Sequence, residues 1–412
     1  MLPAGTPLSD WLTWLETLYP EEIDLGLDRL RAVMARLPTE TPEHVLLIAG
    51  TNGKGSSVAM ASALLRAAGY EVGAYTSPHI NVYNERIAIG KRLARDDEIV
   101  AAFEAIEAVR DGVRLTYFEY GTLAAFLLFS KADLDVWVLE IGMGGRLDAV
   151  NAVDPTAALI TNVALDHCEW LGDDIEAIAA EKAGVMRPGV PVIYGGSDVP
   201  KAILDHAESI GANLLLPGRD FTAGGLPQPG LLGEFQVRNS AAVIALLEAA
   251  GLSGATEPAL IAEVLPRVRL DGRSQRIVSG GVEWLLDVAH NPAAAEVLGA
   301  TLGANRRRGE TLAIVGMLDD KDVEGIITPL NEHVDQWIAV TADSHRGIPA
   351  AELARRIANH GNRPCLIAES LAAAIETARR IAGENDNILV TGSFYIVGPV
   401  LQQLELYSPP DP

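Results

Sequence analysis

Three observations predict an α/β fold with mainly parallel sheets. Short apolar runs alternate with helically spaced apolar positions along nearly the whole chain. The run Val45-Leu46-Leu47-Ile48-Ala49 stops at the glycine-rich loop Gly50-Thr51-Asn52-Gly53-Lys54-Gly55-Ser56, which then opens a helix. The alternation breaks at Pro266 to Gly272 and resumes. The expected division is a P-loop-type, mainly parallel sheet domain over residues 1–270 and a smaller Rossmann-like α/β domain over residues 271–412.

Length and composition agree with this division. A chain of 412 residues with 49% hydrophobic and 21% charged residues can bury two sizeable cores. A formal charge of −23 without a basic stripe argues against a nucleic-acid partner, because phosphate backbones are held by clustered Lys and Arg. The two cysteines, Cys168 and Cys365, cannot form a disulfide scaffold or a cysteine zinc site, so a reducing cytoplasm is expected. No apolar stretch reaches the length of a membrane span, and neither secretion nor a membrane partner is expected.

Taken in order, Leu8, Trp11, Leu12, Leu15 and Leu18, then Leu27, Leu30, Val33, Met34 and Leu37, fall at helical spacing and predict two amphipathic helices before the loop. Asp24-Leu25-Gly26-Leu27 between them reads as a helix start with Asp24 near the cap. After the loop, a helix over Ser57 to Ala68 is closed by Gly69, and Val72 to Tyr75 is the next strand. Pro78 stops that strand and leaves Ser77 and His79 at its carboxyl end, where open α/β sheets place ligands. Asp96 to Arg110 and Phe118-Glu119-Tyr120-Gly121 onward to Lys131 predict helices.

The run Val136 to Ile141 is a buried strand that carries Glu140 into the turn Gly142-Met143-Gly144-Gly145-Arg146. A carboxylate there, parallel to the phosphate-loop strand, is suited to holding Mg²⁺. Ala158 to Asn162 is a further strand ahead of Asp166-His167-Cys168, and the next helix carries Glu181-Lys182-Ala183-Gly184. Val190 to Tyr194 and Leu214 to Leu216 are strands flanking a helix over Lys201 to Ile210; Asp220 to Gly233 reads as irregular. A helix from Arg238 to Ala250 and another to Val264 complete the first half. In the second, Gln275 to Val278 and Val282 to Asp287 pair about Ser279-Gly280-Gly281, followed by strands at Leu312 to Val315, Gln336 to Val340 and Ile388 to Val390.

The loop departs from the usual phosphate-binding pattern, since Ile48 and Gly55 stand where Gly and Ser or Thr are required. Strand, glycines, lysine, hydroxyl and helix still fall in the required order, and this favours phosphate over an incidental turn. Lys54, Arg86, Arg146, Lys182 and Arg273 all lie near polar or glycine-rich turns and are the cations to watch in so acidic a chain.

The loop together with Ser77-Pro78-His79, Leu139-Glu140-Ile141-Gly142, Leu165-Asp166-His167, Glu181-Lys182-Ala183-Gly184, Asp271-Gly272-Arg273 and Asp287-Val288-Ala289-His290-Asn291-Pro292 closely resembles the dihydrofolate synthase/folylpolyglutamate synthase family of the Mur ligase superfamily, from about Trp11 to Gly398. The resemblance implies an ATP-dependent amide ligase that joins L-glutamate to dihydropteroate and adds further glutamates to the γ-carboxylate of reduced folates through an acyl phosphate. It implies that Asn52, Gly53, Lys54, Gly55 and Ser56 hold the β- and γ-phosphates, and that Ser56, Ser77, Glu140 and His167 hold Mg²⁺, two ions being expected. It implies an N6-carboxylysine at Lys182, a phosphate-binding Arg273, a ribose contact at Asp287, an adenine contact at Asn239 and an assisting role for His290, with the site formed between domains. Substrate binding falls to Asp24, Leu25, Gly26, Leu27, Phe118, Glu119, Tyr120, Gly121 and Asp148. Small-molecule partners and a monomer are expected.

Three rivals bear on this reading. A Mur peptidoglycan ligase carries a nucleotide-sugar domain ahead of the phosphate loop, and fewer than 50 residues precede Gly50. A folylpolyglutamate synthase with one activity shares the ATP machinery and differs only in the substrate elements. A P-loop switch acting on a protein partner would need a water-positioning residue and switch loops.

Overall fold

The computed structural model describes residues 2, 3, 5–18, 24–305, 309–361, 363–405 and 407. The described residues form two compact units, one within Met1–Pro227 and Val237–Val268 and one within Gln228–Gln236 and Arg269–Pro409.

In the first unit, helices α1 (Leu8–Leu18) and α2 (Asp28–Met34) precede strand β1 (His44–Ala49), α3 (Lys54–Ala67) and β2 (Val72–Tyr75). A short antiparallel excursion follows, β3 (Ile87–Ile89) and β4 (Arg92–Leu93), then α4 (Asp96–Val109), α5 (Tyr117–Lys131) and β5 (Val136–Glu140). The rest is β6 (Ala157–Ile160), α6 (Cys168–Leu171), α7 (Ile175–Ala183), β7 (Pro191–Tyr194), α8 (Lys201–Ile210), β8 (Asn213–Leu215), α9 (Phe235–Ala249, in this unit from Val237) and α10 (Pro258–Val264). The eight strands lie in the order β4-β3-β2-β5-β1-β6-β7-β8, parallel except at β3 and β4.

The central strands explain their own position. All five residues of β5 and the last five of β1 are buried, as a parallel strand covered by helices on both faces requires. Phe126 of α5 stacks on Trp137 of β5 with centroids 5.6 Å apart, and Trp11 of α1 meets Phe103 of α4 at 5.8 Å. Helix α1 thus joins the core of this unit.

The second unit contains β9 (Gln275–Ser279), β10 (Val282–Leu286), α11 (Pro292–Ala304), β11 (Thr311–Val315), α12 (Val323–Leu330), β12 (Gln336–Ala339), α13 (Ala350–His360), β13 (Cys365–Ile367), α14 (Leu371–Ile381), β14 (Asn387–Thr391) and α15 (Phe394–Gln403). Its sheet order is β13-β12-β11-β14-β10-β9, with only the β9–β10 hairpin antiparallel. Val282 pairs with Ser279 across the glycine turn.

Several boundaries differ from those expected. Helix α3 begins at Lys54 because Gly53, at φ 86°, is its N-cap, and α9 begins at Phe235. Asp24 does not cap α2: Leu27 occupies that place, and the Asp24 carboxylate accepts a hydrogen bond from Arg29 Nη1 at 2.6 Å. Among the described residues no helix is long and apolar enough to cross a membrane.

Candidate active site

The phosphate loop is held by backbone fit and by two side chains that follow β6. A Cβ at Gly50 would sit 1.8 Å from Thr161 Oγ1, and Gly50 adopts φ 140°, so only glycine fits there. Asn162 Oδ1 accepts from Asn52 N at 3.0 Å while Asn162 Nδ2 donates to Asn52 O at 2.9 Å, a reciprocal pair that resembles one rung of a sheet. Thr51 Oγ1 donates to Ala164 O and accepts from Ala164 N. Lys54 folds back on the loop, Nζ donating to Gly50 O at 3.0 Å and Thr51 O at 3.1 Å. Asn239 presents its amide to the loop, 2.8 Å from where a Gly53 Cβ would stand. Asn162 is a positioning residue the sequence reading passed over, since it looks like the end of an ordinary strand.

Four neighbouring strands, β2, β5, β1 and β6, bring their carboxyl ends to one edge of the sheet. Ser77 follows β2, Glu140 ends β5, the phosphate loop with Ser56 follows β1, and His167 follows β6. Open α/β sheets bind ligands at such an edge. Glu140 is 4% exposed, and its Oε2 accepts from Ser77 N at 3.2 Å, which ties two of the predicted metal ligands together. His167 adopts φ 52°, and its backbone N–H donates to Asp166 Oδ1. Among the described residues no three His, Cys, Asp or Glu side chains form a metal cluster. The candidate donors are instead two hydroxyls, a buried carboxylate and an imidazole, an oxygen-dominated set that suits a hard divalent cation.

Helix α7 carries Lys182 against the turn that follows Glu140. Arg146 N donates to Glu181 O at 2.8 Å, a Cβ at Gly145 would meet Glu181 O at 2.6 Å, and one at Gly184 would meet the Arg146 Cβ at 2.3 Å. The two glycines therefore set how close Lys182 comes. Lys182 is 3% exposed, and burial, reinforced by the like charge of Lys54, lowers its pKa to about 7, with Asp166 and Asp148 opposing. Asp148 is also buried; desolvation raises it to about 6 against hydrogen bonds from Met143 N and Val150 N and the charge of Lys54. Gly145→Ala is expected to cost about 1–3 kcal/mol of stability through overpacking. By displacing Lys182 it should lower turnover roughly 10²-fold. Urea unfolding, metal-free ADP binding and turnover measured together check this, retained ADP binding with lost turnover being the expected pattern.

The predicted substrate residues divide by placement. Phe118 covers the turn after β5, its ring 2.6 Å from where a Gly142 Cβ would be, and Asp148 accepts from Met143 N in the same turn. Gly121 leaves room for hydroxyls, since its Cβ would lie 2.6 Å from Tyr83 Oη and 3.2 Å from Tyr75 Oη. Tyr120 is fully buried and donates to Glu107 Oε2 at 2.6 Å. The Glu119 carboxylate, 3% exposed and with its pKa raised by burial, accepts from Thr116 N in a capping box and from Arg29 Nε at 2.8 and 2.9 Å. Arg29 also donates to the Asp24 carboxylate and the Asp24 carbonyl. It thereby fastens the Asp24, Leu25, Gly26, Leu27 segment to α5. Arg29 was missed in sequence because its partner lies 90 positions away.

In the second unit, Arg273, Asp287 and His290 gather at the carboxyl ends of β10 and β14. The Arg273 guanidinium lies 5.3 Å from the Phe394 ring centroid, and the His290 ring lies 5.8 Å from it. Asp287 accepts from Ser274 N, Ser274 Oγ and Ala289 N at 2.7 to 2.8 Å, while desolvation raises its pKa. His290 Nδ1 is 2.8 Å from Val288 O. Two cations outside the sequence reading, Lys321 and Arg346, flank Asp320 after β11 and β12, at 3.0 and 3.7 Å. Their position just past strand ends was the available signal.

The fold and the sequence are shared with known proteins. The Mur ligase middle domain matches residues 48–191, and the Mur ligase glutamate ligase domain matches residues 272–394. The chain is 39% identical to the dihydrofolate synthase/folylpolyglutamate synthase of Escherichia coli (strain K12) over 422 residues, covering 98% of this chain and 96% of that protein. The structure of E. coli FolC in complex with DHPP and ADP matches with a TM-score of 0.92 at 38% identity, covering 98% of this chain and 99% of that one. The bifunctional folylpolyglutamate synthase/dihydrofolate synthase of Yersinia pestis, complexed with AMPPNP and Mn ion, matches at 0.90 and 38%, covering 98% and 100%. The chain belongs to the dihydrofolate synthase/folylpolyglutamate synthase family of Mur ligases.

Proposed function

We propose that this protein is an ATP-dependent carbon–nitrogen ligase that adds L-glutamate to 7,8-dihydropteroate, and further glutamates to the γ-carboxylate of reduced folates. The phosphate loop, Ser77, Glu140 and His167 on one sheet edge, with buried Lys182 beside them, is the observation that carries the reading. In relatives, that fold is found with ADP and DHPP, and with AMPPNP and Mn ion. The ATP-binding role is assigned to residues 1–270 and the ligase role to residues 271–412.

A carboxylate is a poor acyl donor, so the γ-phosphoryl group of ATP passes to a carboxylate oxygen and ADP leaves. The glutamate amine attacks the acyl carbon, loses a proton and expels inorganic phosphate. Two anions must approach first, and at about 4 Å and an effective dielectric near 20 a like-charged pair costs on the order of 4 kcal/mol. Lys54 and the loop N–H groups of Gly53, Gly55 and Ser56 offset that repulsion at the phosphates, with Asn52, whose N–H is held by Asn162, assigned to the same loop site. Ser56, Ser77, Glu140 and His167 would hold Mg²⁺, two ions in our reading, which when bound neutralises phosphoryl and carboxylate oxygens. Lys182 is assigned as an N6-carboxylysine. Burial lowers the Lys182 amine to about 7, so a substantial fraction is neutral near pH 7, the form that adds to CO₂ with loss of a proton.

Arg273 is assigned to phosphate, Asp287 to the ribose, Asn239 to adenine and His290 to an assisting role. Phe118, Gly121, Asp148 and the segment from Asp24 to Leu27 are assigned to the pterin substrate, with Glu119 and Tyr120 as the support of that wall. The protein acts as a cytoplasmic monomer in this reading. A panel comparing dihydropteroate with tetrahydrofolate mono- and polyglutamates tests it. Glutamate incorporation into both classes is expected; incorporation into folates alone would reduce the protein to a folylpolyglutamate synthase, and none would refute the ligase reading.

A further inference from the structure

Arg86 is a buried cation that the reaction above leaves without a role. It is 8% exposed, and among the described residues no carboxylate pairs with it: Nε donates to His79 Nδ1 at 2.9 Å, the guanidinium faces the Tyr75 hydroxyl, and it lies 5.4 Å from the Tyr83 ring and 5.6 Å from the Tyr117 ring. Burying a guanidinium is costly, and the faces of two rings return only part of that cost. The arrangement therefore calls for a function.

That function is visible in what Arg86 brackets. Thr76, the residue before Ser77, donates its N–H to Arg86 O at 3.0 Å and its hydroxyl to Glu85 O at 3.2 Å. His79, two residues after Ser77, is held by the Arg86 side chain. Between them Ser77 N donates to Glu140. The far side of the loop is wrapped on Glu85, whose carboxylate accepts from Ile80 N, Asn81 N and Val82 N at 2.6 to 2.9 Å. Because Arg86 Nε–H is a donor, His79 Nδ1 must be the acceptor, which places the imidazole proton on Nε2 and fixes its ring. Ser77 is thus clamped on both sides by Glu85 and Arg86, and the ring of Tyr117 secures the clamp to the first turn of α5.

We propose that Arg86 is a positioning residue for the divalent-cation site, holding the Ser77-Pro78-His79 turn so that Ser77 and Glu140 meet the cation together. This rests on the assignment of Ser77 and Glu140 as its ligands. Groups that orient metal ligands are worth about 10–100-fold in metal affinity. Arg86→Ala is therefore expected to weaken Mn²⁺ binding at least about tenfold. The readout is electron paramagnetic resonance of the full chain saturated with AMPPNP. Metal-free ADP binding should stay within about twofold, because the phosphate loop belongs to a different strand end.

Arg86→Lys, which keeps the charge but lacks the planar fork, should also bind Mn²⁺ more weakly, and added guanidine should restore binding to Arg86→Ala. Should Arg86→Ala not fold, Arg86→Lys carries the test alone. Unchanged Mn²⁺ binding, an equal loss of metal-free ADP binding or no rescue by guanidine would overturn the proposal. Ser77→Ala separates the two levels. Weaker Mn²⁺ binding in Ser77→Ala with unchanged binding in Arg86→Ala defeats the positioning role alone, whereas unchanged binding in Ser77→Ala defeats the ligand assignment and the proposal with it.

Discussion

Lys182→Ala is expected to lower ligation roughly 10²–10³-fold, the loss that follows removal of one preorganised electrostatic group, while ADP binding persists. The nucleotide's phosphates are assigned to the loop, which is held by Asn162, Thr161 and Thr51 without help from Lys182. Intact protein equilibrated with ¹³CO₂ should give a carbamate carbon resonance absent from Lys182→Ala. The signal should grow between about pH 6 and pH 8, as the amine passes its pKa of about 7. Absence of that resonance across the range would remove the carbamate.

The same shift makes a stability prediction. The Lys182 pKa falls from 10.5 to about 7 on folding, so between those values the unfolded chain binds more protons than the native one. For CO₂-depleted protein, stability contributed by this group rises with pH across that window, and the penalty is fully present below it. Urea unfolding at pH 6.5 and 9 compared between the wild-type protein and Lys182→Met reads the difference; a wild-type advantage that did not grow at the higher pH would contradict it.

Lys54→Ala carries the second large effect. In the loop Nζ bonds to Gly50 O and Thr51 O, contacts that a phosphate can replace, and turnover should fall roughly 10²–10³-fold with weaker nucleotide binding. Lys54 also lowers the Lys182 pKa, so its removal should move the onset of the carbamate resonance to higher pH. An unmoved onset would show that the two amines are not coupled.

Where the structure departs from the sequence reading, the causes are physical. The phosphate loop and β5 with Glu140 were legible because each is an apolar run ended by residues with few conformational alternatives, and the hairpin of the second unit because Ser279-Gly280-Gly281 marks its turn. Strands β3 and β4, at three and two residues, are too short for a periodic signal, and β13 has only three residues with Leu366 and Ile367 exposed. Helix α3 begins at Lys54 because the left-handed conformation of Gly53 ends the loop there, and no apolar pattern marks that point. The side chains that set the site, Arg29 on Glu119, Asn162 on Asn52 and Arg86 on His79, act across separations or geometries that no spacing rule encodes. Glycines carried a clearer message than the sequence suggested: Gly145 and Gly184 are spacers between α7 and its neighbouring turn.

The proposed ligation sends the γ-phosphoryl group to a substrate carboxylate rather than to water. Tetrahydrofolate labelled with ¹⁸O in its γ-carboxylate, incubated with protein, ATP, Mg²⁺ and L-glutamate, tests it directly. One ¹⁸O is expected in the inorganic phosphate released for each amide formed, with little phosphate release when either acceptor or glutamate is withheld. Phosphate free of ¹⁸O, released equally without them, would contradict it.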